Sequence, residues 1–128
     1  MASVNTISSK EYQNGVKIVS VSMVCASGSA AFTEVLLEER GKRLHSIDIV
    51  PDLVTGPTDD SDLLLTDNIS GVNLIATNGV DAVDNATTNN ILPDTVANII
   101  KGSLTLAISN NAVVTAAVTI YLTFEHDF

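Results

Sequence analysis

The sequence predicts an all-β domain, an antiparallel β-sandwich or jelly roll of about seven or eight strands. Three observations lead there. The 45% hydrophobic fraction includes only 4% aromatics and no Trp, so it rests on Val, Ile, Leu and Ala, with Thr, Ser and Asn between them, the vocabulary of strands. Apolar residues recur with a period of two in several separate runs, as they do where one face of a strand is buried. Turn-forming clusters such as Ser27-Gly28-Ser29, Asn78-Gly79 and Asn110-Asn111 punctuate those runs, and no alternation of strand with helix points to a parallel sheet.

At 128 residues the chain has the size of one domain with a core large enough to fold unaided. The net charge of -9, from 15 acidic against 6 basic residues, opposes binding to a phosphate backbone or an anionic membrane, because both depend on clustered Lys and Arg. Neither nucleic acid nor membrane is therefore an expected partner. Cys25 is the single cysteine, which rules out an intrachain disulfide and a Cys-based zinc site, and fits a reducing compartment. The start of the chain lacks the marks of a signal peptide and no apolar run reaches membrane-spanning length, so a soluble protein made in the cytosol is expected. The sequons Asn68-Ile69-Ser70 and Asn85-Ala86-Thr87 then read as accidental.

Taken in order, residues 1 to 15 are polar, hold the turn signal Gln13-Asn14-Gly15 and show no sustained period. They read as an N-terminal arm or lead-in strand, ahead of a single sandwich domain over 16 to 128. Val16 to Ala26 alternates, with Val19, Val21, Met23 and Cys25 on the apolar face, where a free cysteine behaves as a small hydrophobe. Over 30 to 43 the local signals divide. Phe32, Val35, Leu36 and Glu39 fit a helical stripe capped by Gly41, whereas a strand from Thr33 to Glu39 with a glycine bulge at Gly41 fits the β segments on both sides and is preferred.

Lys42 to Val50 places Arg43, His45, Ile47 and Ile49 on one face, and Pro51, which has no donor, ends that ladder. Leu63 and Leu65, the turn Asp67 to Gly71, and Val72, Leu74 and Ala76 read as a hairpin. Residues 77 to 90 form a polar loop, with a short helical turn expected near Thr87 to Leu92 and an extended piece over Val96 to Ile100. Leu104, Leu106 and Ile108 alternate. The Asn110-Asn111 pair suits a tight hairpin turn into a last strand whose apolar face runs Val114, Ala116, Val118, Ile120, Leu122 and Phe124.

Residues with chemical potential are few. His45 and His126 come with no nucleophile motif such as GxSxG. Asp59, Asp60, Asp62 and Asp67 crowd into turns, where Asp is a turn former. Asp60-x-Asp62 and Asp81-x-x-Asp84 offer hard oxygens for calcium, but Leu64 and Leu65 stand where an EF-hand loop needs a ligand and a glycine. No catalytic, cofactor-binding or metal-ligating residue is assigned, no cofactor is expected, and the chain reads as no enzyme.

Several segments do carry a resemblance. Gly41-Lys42-Arg43-Leu44 through Val50-Pro51-Asp52, then Pro57-Thr58-Asp59-Asp60-Ser61-Asp62 through Asp67, then Gly71-Val72-Asn73-Leu74, Gly102-Ser103-Leu104 through Asn110, and Val118 to Leu122 together resemble small virion proteins of tailed bacteriophages. These are encoded among head and tail genes and include decoration or cement-type proteins. The similarity spans roughly residues 41 to 122. Ser61-Asp62 replaces an aromatic common after the acidic pair, and Asn110-Asn111 replaces a more glycine-rich turn. The resemblance implies a β-sandwich that decorates or stabilises a capsid, located in the virion after assembly in the host cytoplasm. The expected partners are the major capsid protein or another virion protein, with a homo-oligomer, most simply a trimer on a threefold position. A tail, fibre or head-tail junction component is the alternative, and a carbohydrate-binding module a second, although Tyr12, Tyr121 and three Phe offer little aromatic platform. Contacts are expected in the arm (1 to 15) and the long loop (77 to 93).

Overall fold

The computed structural model describes residues 4–12, 14–94 and 99–126. The described strands are β1 (Val4–Glu11), β2 (Val16–Val24), β3 (Val35–Leu37), β4 (Arg43–Pro51), β5 (Asp62–Asp67), β6 (Asn89–Ile91), β7 (Leu104–Ser109) and β8 (Ala117–Glu125), with one 3-10 turn at Ala76–Gly79. They form two antiparallel sheets, one in the order β1-β2-β8-β4-β6 and the other β3-β7-β5. The chain is an all-β sandwich, and its interleaved strand order is that of a jelly roll.

Period-two patterning builds the core as the sequence implies. Val19, Val21 and Met23 from β2, Ile47 and Ile49 from β4, and Val118, Ile120, Leu122 and Phe124 from β8 point inward from the larger sheet, against Leu63, Leu65, Leu104, Leu106, Val35 and Leu37. Cys25 is buried with them, and burial pushes its thiol above its ordinary pKa. Between 30 and 43 the strand holds, though only as Val35–Leu37.

Other expectations need correction. The strand β4 contains a bulge between Leu44 and Ser46, and an extra residue reverses the alternation there. Leu44 is thereby buried with Ile47 and Ile49, while His45 is turned out at 58% side-chain exposure and leaves the apolar face. The hairpin after β5 forms at its turn, with Gly71 N donating to Asp67 O at 2.7 Å and Asp67 N to Val72 O at 2.9 Å. Its second strand then fails. Pairing stops after the Thr66–Asn73 bridge and the bond from Leu74 N to Leu65 O at 2.8 Å: Leu74 and Ile75 are adjacent and both buried, which no period of two permits, and Asn73 Oδ1 takes the amides of Leu65 and Ile75. The chain loops out as the 3-10 turn and returns alongside the start of β5, where Asp81 N donates to Asp62 Oδ1 at 2.8 Å and Ser61, just before the strand, bridges Val83.

Two turns also differ. No helical turn forms at 87 to 92, where β6 pairs with β4. Asn110, at φ 65°, does adopt the left-handed conformation, but the connection is not a hairpin: β7 pairs with β3 and β5, and β8 with β2 and β4. The chain changes sheets there, and the apolar face of the last strand begins at Ala116, since Val114 is exposed. Most of the extended piece expected over Val96 to Ile100 lies outside the described residues, as do Gln13 of the expected turn and residues 1–3 of the expected arm.

The strand β1 pairs with β2 along its whole length, Val4 opposite Val24 to Glu11 opposite Lys17. Because a five-stranded sheet faces a three-stranded one, β1 overhangs the core. Residues 6–12 are exposed, including Ile7, which shares a register position with buried Val21.

Candidate docking surface

The strands run between two chemically different ends. At the lower end, where β2 and β4 begin and β8 finishes, lie Lys10, Lys17, Arg40, Lys42, Arg43 and Lys101, the whole basic complement of the chain. They are offset there by Glu11, Glu38, Glu39, Asp67 and Glu125. Glu39 is 3% exposed, with Lys17 Nζ at 2.8 Å from Oε1 and 2.9 Å from Oε2, and Lys42 Nζ at 3.5 Å from Oε1. A buried carboxylate needs such partners, and the cluster ties the β3–β4 turn to β2. Also at this end, His45 Nδ1 lies 3.2 Å from Ser46 Oγ, and its Nε2 3.8 Å from Glu125 Oε1. The second contact is longer than a hydrogen bond, and His45 stands in open solvent. His126 is fixed at the same end by its backbone, donating to Gly15 O.

Asp67 locks the lower end from the smaller sheet. It is 2% exposed, with Oδ1 accepting from Ile69 N at 3.0 Å and Oδ2 from Lys101 N at 2.8 Å. Burial alone would push its carboxyl up, but backbone N–H groups of Lys101, Ile69, Ser70 and Gly102 outweigh it and hold the carboxyl below its ordinary 3.8. A group depressed in the folded state stabilises fully above its unfolded pKa and loses that contribution as pH falls through the folded value. Asp67→Asn is therefore expected to cost about 2 kcal/mol at pH 7. Urea titrations of both proteins at stepped pH should show the difference shrinking below pH 3.8.

The upper end carries Asp52, Asp59, Asp60, Asp62, Asp81 and Asp84, and no Lys or Arg. Sequence separates the two acidic segments, and the fold joins them. Asp60 N donates to Asp84 Oδ1 at 3.3 Å, Asp81 N to Asp62 Oδ1 at 2.8 Å and Asn85 N to Asp59 Oδ1 at 2.7 Å. Asp60, held at φ 65°, has its carboxyl raised by partial desolvation and by the charges of Asp81, Asp84 and Asp59. An acid raised in the folded state costs stability once ionised, and the cost vanishes as pH falls below its unfolded pKa. Asp60→Asn, which keeps a side chain tolerant of positive φ, should raise the melting temperature at pH 7 and leave it unchanged near pH 3, as scanning calorimetry at the two pH values would report.

Above this acidic rim stands an apolar tip. Leu53 is 84% and Val54 90% exposed, with Val114 exposed on the neighbouring loop. The tip is anchored at its base: Asp52 Oδ1 accepts from Val54 N at 2.8 Å and Thr55 N at 2.9 Å, Asp52 N donates to Ala117 O and Ala117 N to Thr55 O. Asn85 Nδ2 donates to the carbonyls of Gly56 and Pro57. The flanking loops converge on Asn111, whose Oδ1 accepts from Thr58 N and Val113 N and whose Nδ2 donates to Ala30 O and Val113 O. A shallow groove of about 430 Å³ runs from Val24 and Thr119 up to Leu53, and another of about 380 Å³ lies between Phe32, Ile108 and Asn111.

The long loop is held to the body of the molecule by its own side chains. Its asparagines bond within the chain: Asn78 Nδ2 donates to Leu92 O, Asn89 Nδ2 to Ala82 O and Asp84 Oδ2, and Asn90 Nδ2 to Asp48 Oδ1. The sequon residues Asn68 and Asn85 likewise use their Nδ2 groups internally. No group of three or more His, Cys, Asp or Glu side chains among the described residues is arranged to hold a metal ion, and none of the described helices is long and apolar enough to cross a membrane. The sequence signal missed was Leu53-Val54 itself, a pair of large aliphatics in a loop bracketed by Pro51 and Pro57.

The geometry thus defines a double-sheet jelly roll with one anchored, acidic, apolar-tipped end. No family model matches the chain, and no curated protein matches it in sequence. Among solved structures it is similar to a chain of the cyanophage Pam1 capsid asymmetric unit, at 13% identity and a TM-score of 0.47, covering 91% of this chain and 89% of that one. It is also similar to the Schizosaccharomyces pombe Cnp3 cupin domain, at 14% identity and a TM-score of 0.36, covering 96% of this chain and 65% of that one. Likeness at this level carries no function across.

Proposed function

We propose that the protein is a structural component of a tailed-bacteriophage virion that decorates or stabilises the capsid through protein-protein contacts. The observation that carries this reading is the resemblance of residues 41 to 122 to small phage virion proteins. In the folded chain those segments are β4, β5, β7 and β8 with the Asp67–Gly71 turn, so the resemblance falls on the centres of both sheets. The rest of the molecule suits the role: aliphatic sheets supply a rigid body, and the loop ends supply contacts. A small protein gains affinity for a shell mainly through many identical contacts. The reading includes a homotrimer and no chemical reaction.

Quantitative mass spectrometry of purified virions, combined with a cryo-EM reconstruction, tests it. A high copy number in multiples set by capsid symmetry, with density on the shell, is the expected result. A few copies at a single vertex would replace it with a tail or junction role, and absence from the particle would overturn both.

A further inference from the structure

We propose that the acidic end is the docking surface, with the Leu53-Val54 tip seated in an apolar pocket of another virion protein whose rim presents Lys and Arg. This rests on the virion reading and adds to it which end makes contact and what it contacts.

Two large aliphatic side chains almost wholly in water are an unfavourable arrangement unless something covers them. The loop that carries them is no loose excursion. Asp52 Oδ1 accepts from the amides of Val54 and Thr55, Ala117 holds the loop to β8, and Asn85 grips its far side. The loop backbone is thus held at its base, and a preorganised backbone loses less entropy on binding.

Charge complementarity selects the occupant. A second copy offering the same end would bring like charges together, and a second copy's lower end is a poor match. Its Lys17 and Lys42 are engaged by Glu39, and Lys10 lies over the Tyr12 ring with its Nζ 5.3 Å from the ring centre. Nucleic acid and anionic lipid are repelled. A protein surface with an apolar pocket and a basic rim satisfies both the tip and the carboxylates, and a cation placed among Asp59, Asp60, Asp81 and Asp84 relieves the repulsion between acidic segments that their hydrogen bonds bring together.

The test uses particles assembled without this chain, to which the purified full-length protein is added and its binding measured by co-sedimentation over a range of salt. Wild-type protein should bind, more weakly as salt rises. Leu53→Ser combined with Val54→Ser, both in solvent and expected to melt as wild type does, should lower the affinity about 30-fold. Asp60→Asn with Asp81→Asn should lower it about fivefold and flatten the salt dependence. Leu36→Ser, on the exposed outer face of β3, should bind as wild type. Equal binding by the Leu53/Val54 variant overturns the proposal while leaving the virion reading intact. Failure of the wild-type protein to bind overturns the virion reading and this surface with it. If sedimentation of the free protein shows that the Leu53/Val54 change dissociates an oligomer and leaves particle binding unaltered, the tip's partner is a second copy and the proposal is wrong.

Discussion

Gly56→Ala is expected to cost more than about 4 kcal/mol, a large share of the stability of a domain this size. A Cβ built at Gly56 would lie 1.8 Å from Asn85 O, 2.8 Å from Asn85 C and 2.9 Å from Asp52 O. All three are backbone atoms, so no rotamer change makes room. The crossing strands of chain are also pinned where they meet, since Asn85 Nδ2 donates to the carbonyls of Gly56 and Pro57 at 3.1 Å. Moving Asn85 away breaks these bonds, and moving Asp52 loosens the base of the Leu53-Val54 loop. Equilibrium denaturation should show a lower midpoint, or the variant should fail to accumulate as folded protein. Gly71→Ala is the matched control. Nothing lies within 4 Å of its Cβ position, and only its φ of +75° resists alanine, so about 1 kcal/mol is expected. A comparable loss in both variants would mean that close backbone approach is not what position 56 requires.

Asn111→Ala should be the next most damaging change, at about 3 kcal/mol. The side chain takes two amides, Thr58 N at 2.9 Å and Val113 N at 3.1 Å, and serves two carbonyls, Ala30 O at 2.8 Å and Val113 O at 3.0 Å. It joins the loop after β2, the loop before β5 and the crossover from β7 to β8, three segments distant in sequence. Removing it leaves partly buried backbone groups without partners. Asn111→Asp should be no better, because a carboxylate keeps the acceptor, loses both donors and adds a charge to an end already crowded with Asp. Hydrogen exchange provides the specific readout: the amides of Thr58 and Val113 should lose protection while those in the centre of β8 keep theirs. A uniform loss across the molecule would place the effect in global unfolding instead of at the loop junction.

Much of the sandwich could be read from the sequence because its central strands are long and obey a period of two. Val19, Val21 and Met23, and the alternation from Val118 to Phe124, admit one reading. What stayed hidden has specific causes. One extra residue at the β4 bulge moved His45 out and Leu44 in, and a bulge has no reliable residue signature. Adjacent Leu74 and Ile75, together with the side chain of Asn73, ended a ladder that turn chemistry alone would have continued. Period tells which face is buried but not which strand lies beside it, so Asn110-Asn111 looked like a hairpin when it crosses between sheets. The overhanging β1, exposed on both faces, has no period to detect.

The candidate surface was legible only in pieces. The acidic residues at 59 to 62 and at 81 to 84 were visible as turn formers, but their convergence depends on Val83 bridging Ser61, a long-range contact. The long loop was legible as a polar surface segment, whereas the internal bonds of its Asn78, Asn89 and Asn90 side chains depend on long-range neighbours. Leu53 and Val54, by contrast, needed only the question of why two aliphatics should stand in a loop.

With every Lys and Arg gathered at one extremity and a field of unopposed carboxylates at the other, the molecule carries a large electric dipole along its strands. In solution it would feel a torque in the field of any charged surface before touching it, so that an encounter begins already aligned. Orientation would then be settled during approach, and only rotation about the long axis would be left for the final fit.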